Sequence, residues 1–296
     1  MEKKTLVLDN EETLAYLHYP NEGKPTLLLL HGNMSSSVHY KPLIEQLKED
    51  FTLLVPDMRG FGDSSYHKPI ESLEDFADDC ARFLTHFEHS PVVVIGWSTG
   101  GGVALKFAAK YPQLTKSIVL IESASYRGYP IYEKTQDLKP TKQLYTSKEA
   151  MAQDPLQVAP VAKALKENNF EFIKQVWLQT IYNVKAPQKD DLELYIHETL
   201  KQRNLIDVDW ALMTFNMSDT QNGVAPGDGS IHDLEVRVLA TWGQKDLVIP
   251  KPMFEENIAA LKDVTPYVFE QGSHSPITDE PEALARLITT FIEKDI

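Results

Sequence analysis

The chain has 296 residues, 42% of them hydrophobic, enough for one large domain or two modest ones with a sizeable core. Its 43 Asp and Glu against 29 Lys and Arg give a net charge of -14, which phosphate backbones and anionic membrane surfaces repel, so neither nucleic acid nor a membrane is an expected partner. The lone cysteine, Cys80, rules out an internal disulfide, and with no stretch near the roughly 18 apolar residues of a membrane span and no signal-like start, the expected setting is the cytoplasm.

Residues 4–9 and 13–19 predict a hairpin around Asn10-Glu11-Glu12. Residues 26–30 form a continuous apolar run ending in His31-Gly32, the pattern of a strand buried on both faces of a parallel sheet. A helix near residues 40–50 and a strand over 51–55 follow. Residues 72–87 predict an amphipathic helix: Leu73, Phe76, Ala77, Cys80, Phe83, Leu84 and Phe87 share one face, Ser72 is a fitting N-cap, and Asp75 suits the first turn. His86 and His89 fall at its end. A strand over 91–95 then meets a helix over 98–110, closed by Pro112, and residues 118–121 are another buried strand. This alternation predicts an α/β fold.

The pattern breaks from about Ser123 to Ser230, where amphipathic helical stretches replace buried strands. Phe170, Ile173, Val176 and Trp177 share one face, Leu192, Tyr195, Ile196 and Leu200 another, and residues 207–215 read as a further helix. The turn-rich run Asn222–Gly229 closes the segment. Alternation resumes with a strand over 236–242, a helix over 252–261, a strand over 264–269 and a helix over 281–293. The expected organisation is a core domain of residues 1–122 and 231–296 interrupted by a helical insertion, 123–230.

The chemistry centres on Gly96-Trp97-Ser98-Thr99-Gly100, at a switch from a β-branched strand to a helix. Glycines on both sides permit a turn too tight for larger side chains, which exposes the serine hydroxyl as a nucleophile. A serine hydroxyl needs an adjacent base, usually a histidine oriented by a carboxylate. Of nine histidines, His274 stands in a loop just after the last predicted strand, at the sheet end where Ser98 is presented. His197 falls within an insertion helix, and His31 reads as structural. Asp246, in the loop after Trp242-Gly243, is the expected acid, with Glu122 at the end of the strand following the elbow helix as its rival. The backbone N–H groups of Thr99 and Asn33 are expected to receive the oxyanion, with Met34 second to Asn33. Trp97, Met34, Trp177, Met213 and Phe215, along with Trp210 and Met217, are candidates for an apolar substrate pocket. No HExxH, paired CxxC, P-loop or dinucleotide fingerprint is present, so no metal or other cofactor is expected.

Taken together, His31-Gly32, the block Asp57-Met58-Arg59-Gly60-Phe61-Gly62-Asp63-Ser64, the serine elbow, Trp242-Gly243-Gln244-Lys245-Asp246 and Gly272-Ser273-His274 resemble the motif set of the α/β-hydrolase superfamily. The resemblance covers residues 1–122 and 231–296. It implies an α/β-hydrolase fold with a mostly parallel central sheet flanked by helices, a catalytic triad in the chain order Ser98, Asp246, His274, and a helical cap over the site. The Asp57–Ser64 block resembles a structural loop. Serine at position 98 disfavours the haloalkane dehalogenase and epoxide hydrolase branches, which carry aspartate there. The elbow is similar to those of cofactor-free haloperoxidases, related esterases and intracellular polyhydroxybutyrate depolymerases. The expected activity is hydrolysis of a carboxylic ester, thioester or lactone, on a neutral and partly apolar small molecule. The alternatives are a slow-turnover small-molecule sensor, perhydrolase or haloperoxidase-like chemistry, and carbon–carbon bond hydrolysis.

Overall fold

Eight strands form one sheet in the computed structural model, which describes residues 1–87 and 91–294; His89 lies outside the described residues. The strands are β1 (Lys4–Val7), β2 (Thr13–Tyr19), β3 (Thr26–Leu30), β4 (Thr52–Pro56), β5 (Val92–Trp97), β6 (Thr115–Ile121), and, later in the chain, β9 (Arg237–Gly243) and β10 (Val264–Phe269). Their order is β1-β2-β4-β3-β5-β6-β9-β10. The β1–β2 and β2–β4 pairs are antiparallel and all other pairs are parallel. This is the expected α/β-hydrolase architecture.

Strand alternation divides the core between the two faces of the sheet. Leu28 and Leu30 of β3 and Val92 and Val94 of β5 pack with helices α2 (Leu73–Leu84) and α3 (Thr99–Lys110). Leu27, Leu29, Val93 and Ile95 point the other way, towards α1 (Lys41–Leu47) and the C-terminal helix α11 (Pro281–Glu293). The start of α2 follows the sequence reading closely. Ser72 Oγ accepts from the Glu74 amide at 3.2 Å and Asp75 Oδ2 accepts from the Ser72 amide at 3.0 Å. The buried face of α2 carries Phe76 and Phe83, each contributing about 1.5–3 kcal/mol by burial.

Between β6 and β9 the chain leaves the sheet. It forms a short exposed hairpin, β7 (Tyr132–Lys134) and β8 (Pro140–Leu144), then α4 (Lys148–Met151), α5 (Ala159–Lys166), α6 (Phe170–Thr180), α7 (Lys189–Thr199) and α8 (Leu205–Thr214). After β9 come α9 (Lys251–Ala260) and, after β10, the short α10 (Pro276–Asp279). The hairpin had no apolar signature: its residues are at most half-buried, so nothing hydrophobic marks it in the sequence. No helix among the described residues is long and apolar enough to cross a membrane.

Candidate active site

Ser98 sits between β5 and α3 with φ 55° and ψ −117°, a conformation L-residues avoid and which costs on the order of 1–3 kcal/mol. The surroundings hold it there. The Ser98 amide donates to Ile121 O at 2.9 Å, and its carbonyl accepts from the amides of Gly101 at 2.9 Å and Ala124 at 3.2 Å. The turn is closed so tightly that a Cβ on Gly96 would lie 2.2 Å from Gly100 O, and one on Gly100 would lie 2.1 Å from Leu30 O. Glycine at these two positions is therefore a steric requirement.

His274 follows β10 on a loop held by side chains. Trp97 Nε1 donates to His274 O at 2.8 Å, so the residue before the serine anchors the histidine's backbone. Asp279 Oδ2 accepts from the amide and the hydroxyl of Ser273, both at 2.6 Å. On the imidazole, Nδ1 lies 2.8 Å from Asp246 Oδ2, and both side chains are almost wholly buried. A carboxylate only accepts, so Nδ1 carries the proton and Nε2 is left as the proton acceptor. Asp246 is fixed in turn: its Oδ1 accepts from the amides of Val248 at 2.6 Å and Ile249 at 2.9 Å. Ser98 and His274 line the same cavity. Among the described residues no hydrogen bond joins Ser98 Oγ to the ring.

Glu122, the rival acid, has no hydrogen bond to His274 among the described residues. It is fully buried with φ 44°. Its Oε2 accepts from Thr241 Oγ1 at 3.1 Å and Oε1 has no partner. Burial, reinforced by the charge of Asp246, pushes its carboxyl well above the usual range.

Two residues lining this cavity, Thr99 and Asn33, have backbone amides without partners among the described residues. Thr99 opens α3, where a helix leaves its first amides unpaired and favours negative charge. Asn33 follows Gly32, and its amide has no acceptor. The Met34 amide is engaged by Asn33 Oδ1 at 2.9 Å, which separates the two candidates in the loop.

The cavity has a volume of about 540 Å³. Met34, Trp97 and Trp177 line it, joined by Phe172 and Val176 of α6 and Leu212 of α8. Met213 turns into a neighbouring cavity and a small cluster with Ile131 and Met151. Phe215 and Met217 pack into the core beneath α3, and Trp210 lies against the Met213 cluster. Helix periodicity explains the difference: Leu212 and Met213 are adjacent on α8 and so point about 100° apart. Asp209 also lines the cavity. Burial pushes its carboxyl from 3.8 up to about 7; the Asn33 hydrogen bond opposes this and the charge of Asp154 adds to it. In the sequence it reads only as part of the helix expected over residues 207–215.

The remaining polar features of this end of the sheet are structural. His31 is fully buried, and burial pushes its pKa down to about 4. It stays neutral, accepting from the Met58 amide at Nε2, 3.0 Å away. The Asp57–Ser64 loop is tied by Arg59, whose guanidinium donates twice to Asp79 at 2.7 Å. Asp57, Asp63 and Glu198 bring carboxylate oxygens close enough to hold a cation. The Lys3 ammonium fills that place, bonded to Asp57 at 2.7 Å, Asp63 at 2.9 Å and Glu198. Burial alone would lower its pKa, but these three carboxylates outweigh that and push it up.

A model of the alpha/beta hydrolase fold family matches residues 25–281. Among curated relatives, "Lipase 1" of Psychrobacter immobilis is 25% identical over 290 residues, covering 94% of this chain and 80% of its own. The pimeloyl-[acyl-carrier protein] methyl ester esterase of Vibrio vulnificus is 24% identical, over 94% of this chain and 98% of its own. A thermophilic esterase of Thermogutta terrifontis superimposes with a TM-score of 0.73 at 21% identity, over 100% of this chain and 99% of that one.

Proposed function

The chain belongs to the alpha/beta hydrolase fold family, and from that premise we propose that it is a serine hydrolase that cleaves carboxylic esters through Ser98, His274 and Asp246. The contact that carries this reading is the 2.8 Å bond from His274 Nδ1 to Asp246 Oδ2, which leaves Nε2 basic in a cavity shared with a serine at a strained elbow. Relatives named as a lipase and as a methyl ester esterase support ester hydrolysis as the reaction class.

In this reading Ser98 Oγ attacks the ester carbonyl while its proton passes to His274 Nε2. The amides of Asn33 and Thr99 receive the oxyanion. Collapse of the tetrahedral intermediate breaks the carbonyl carbon–alkoxide bond, and the alcohol leaves with the proton from Nε2. Water then gives a proton to the same nitrogen and its oxygen to the acyl carbon, and Ser98 departs with the proton restored. Asp246 keeps the ring oriented and stabilises the imidazolium. Residues 1–122 and 231–296 serve as the core, and 123–230 as a cap that supplies the apolar wall through Trp177, Phe172 and Leu212. A mostly apolar wall suits a neutral acyl or alcohol group better than an anion.

The test is Ser98→Ala against wild type on p-nitrophenyl esters, with fluorophosphonate labelling as a second readout. The expected result is loss of labelling and a fall in kcat of about 10⁵-fold or more in a protein that still melts cooperatively. Unchanged turnover in the variant overturns the assignment.

A further inference from the structure

Residues 33 and 34 are gripped by three side chains from one short stretch of the α7–α8 region. Thr199 Oγ1 donates to Met34 O. Gln202 Nε2 donates to Asn33 Oδ1 at 2.7 Å. Asn33 Nδ2 donates to Asp209 Oδ1 at 2.9 Å. The stretch is itself fastened to the core, because Gln202 Nε2 also reaches Asn204 Oδ1 at 3.0 Å and Asn204 Nδ2 donates to Arg59 O at 2.7 Å. Thr199, Gln202 and Asn204 are buried, and Asp209 borders the cavity. Met34 meanwhile has φ 57°, a left-handed conformation that a non-glycine residue keeps only when its surroundings impose it.

These contacts are spent on the protein's own loop. They leave both Asn33 side-chain groups bonded while its amide has no partner among the described residues. We propose that Thr199, Gln202 and Asp209 are positioning residues that orient the Asn33 N–H as an oxyanion donor, so that the hole is complete only when the α7–α8 region is docked on the core. The inference rests on the serine hydrolase reading and adds that the excursion controls the chemical step as well as the shape of the pocket. A backbone donor contributes to the transition state only if it points at the place where charge develops, and a small rotation of one peptide plane forfeits much of that.

The experiment measures kcat, KM and the inhibition constant of an alkyl trifluoromethyl ketone, whose hemiketal oxyanion occupies the hole, with the matching secondary alcohol as a ground-state control. Asn33→Ala and Asp209→Leu are expected to lose about 10- to 100-fold in kcat and in ketone affinity, with KM and alcohol affinity within about twofold of wild type. Asp209→Asn keeps an oxygen that can accept from Asn33 Nδ2 and should regain most of what Asp209→Leu loses. Thr199→Val preserves shape, and its expected loss is about 3- to 10-fold in the same two quantities; it carries the test if the leucine variant does not fold. Ketone affinity and kcat within twofold of wild type in Asn33→Ala and Thr199→Val overturn the proposal. Failure of the underlying reading has a different signature: Ser98→Ala would then keep its turnover.

Discussion

Ser98, Asp246 and His274 stand on loops that leave parallel strands of one sheet, whereas Trp177 and Asp209 come from helices, and Gln202 from the link between two helices, outside that sheet. The first group is placed by backbone ladders. β5, β6, β9 and β10 run side by side in parallel register, so the loops that leave them, which carry Ser98, Asp246 and His274, open at one end of the sheet. The second group is placed by side chains. The α7–α8 region reaches the rim through the hydrogen bonds of Thr199, Gln202 and Asn204 and through Lys3, which joins Glu198 to Asp57 and Asp63. Ladders are cooperative and tolerate substitution, while a set of individual polar contacts can be removed one at a time. Changes at the rim should therefore act on chemistry with little effect on fold, and changes in the excursion should act on the rim's alignment and on stability together.

The largest effect expected from this contrast is at the acid. Asp246→Asn keeps the geometry but can hold the imidazole in the wrong tautomer, and kcat should fall by about 10⁴-fold. Glu122→Gln, which keeps the shape of a buried side chain that makes no hydrogen bond to His274 among the described residues, should stay within about threefold of wild type. Steady-state kinetics on one ester decides it: a larger loss in Glu122→Gln than in Asp246→Asn would move the acid to the end of β6. An intermediate effect is expected where the rim is held by a side chain. Trp97→Phe fills most of the same space but removes the donor to His274 O, leaving a buried carbonyl unpaired at a cost of about 1–3 kcal/mol. The expected outcome is a lower Tm and a kcat reduced about tenfold with KM little changed. A Tm loss with full kcat would show that the Asp246 contact alone aligns the ring.

This contrast also explains what could be read in advance. The elbow at Ser98, the cap at Ser72 and the buried runs of β3, β5 and β6 are written in residue types at fixed local spacing. His274 and Asp246 could be picked from nine histidines and many acids because each lies in the loop that follows a strand. The partners of Asn33 carried no such mark. Gln202 and Asp209 lie 169 and 176 residues away in the chain, and a glutamine after a helix or an aspartate within one carries no local mark of such a contact. The pocket wall was half legible for a related reason. Aromatic content in the excursion was visible, but which side of α8 faces the cavity is set by how the helix docks, and that put Leu212 on the wall and sent Met213 and Phe215 elsewhere.

The smallest effect separates the two regions by pH. Burial raises the Asp209 carboxyl from 3.8 to about 7, with Asp154 adding to the shift and Asn33 opposing it. Between those values the native state holds a proton that the unfolded chain has released, so this group's contribution to stability falls as pH rises through that window. Asp209→Asn binds no proton in either state and keeps the acceptor for Asn33. The stability of the variant relative to wild type should therefore increase from pH 4 to pH 8. Each displaced pKa unit corresponds to about 1.4 kcal/mol, and because the carboxyl keeps an edge on the cavity the expected gain is on the order of 2 kcal/mol rather than the full sum. Glu122 is present in both proteins and cancels from the difference. Thermal melts of the pair at the two pH values measure it. A difference that does not change with pH would mean that Asp209 is ionised throughout, and the Asn33 side chain would then be held by a full negative charge beside the proposed oxyanion hole, where it would oppose the oxyanion.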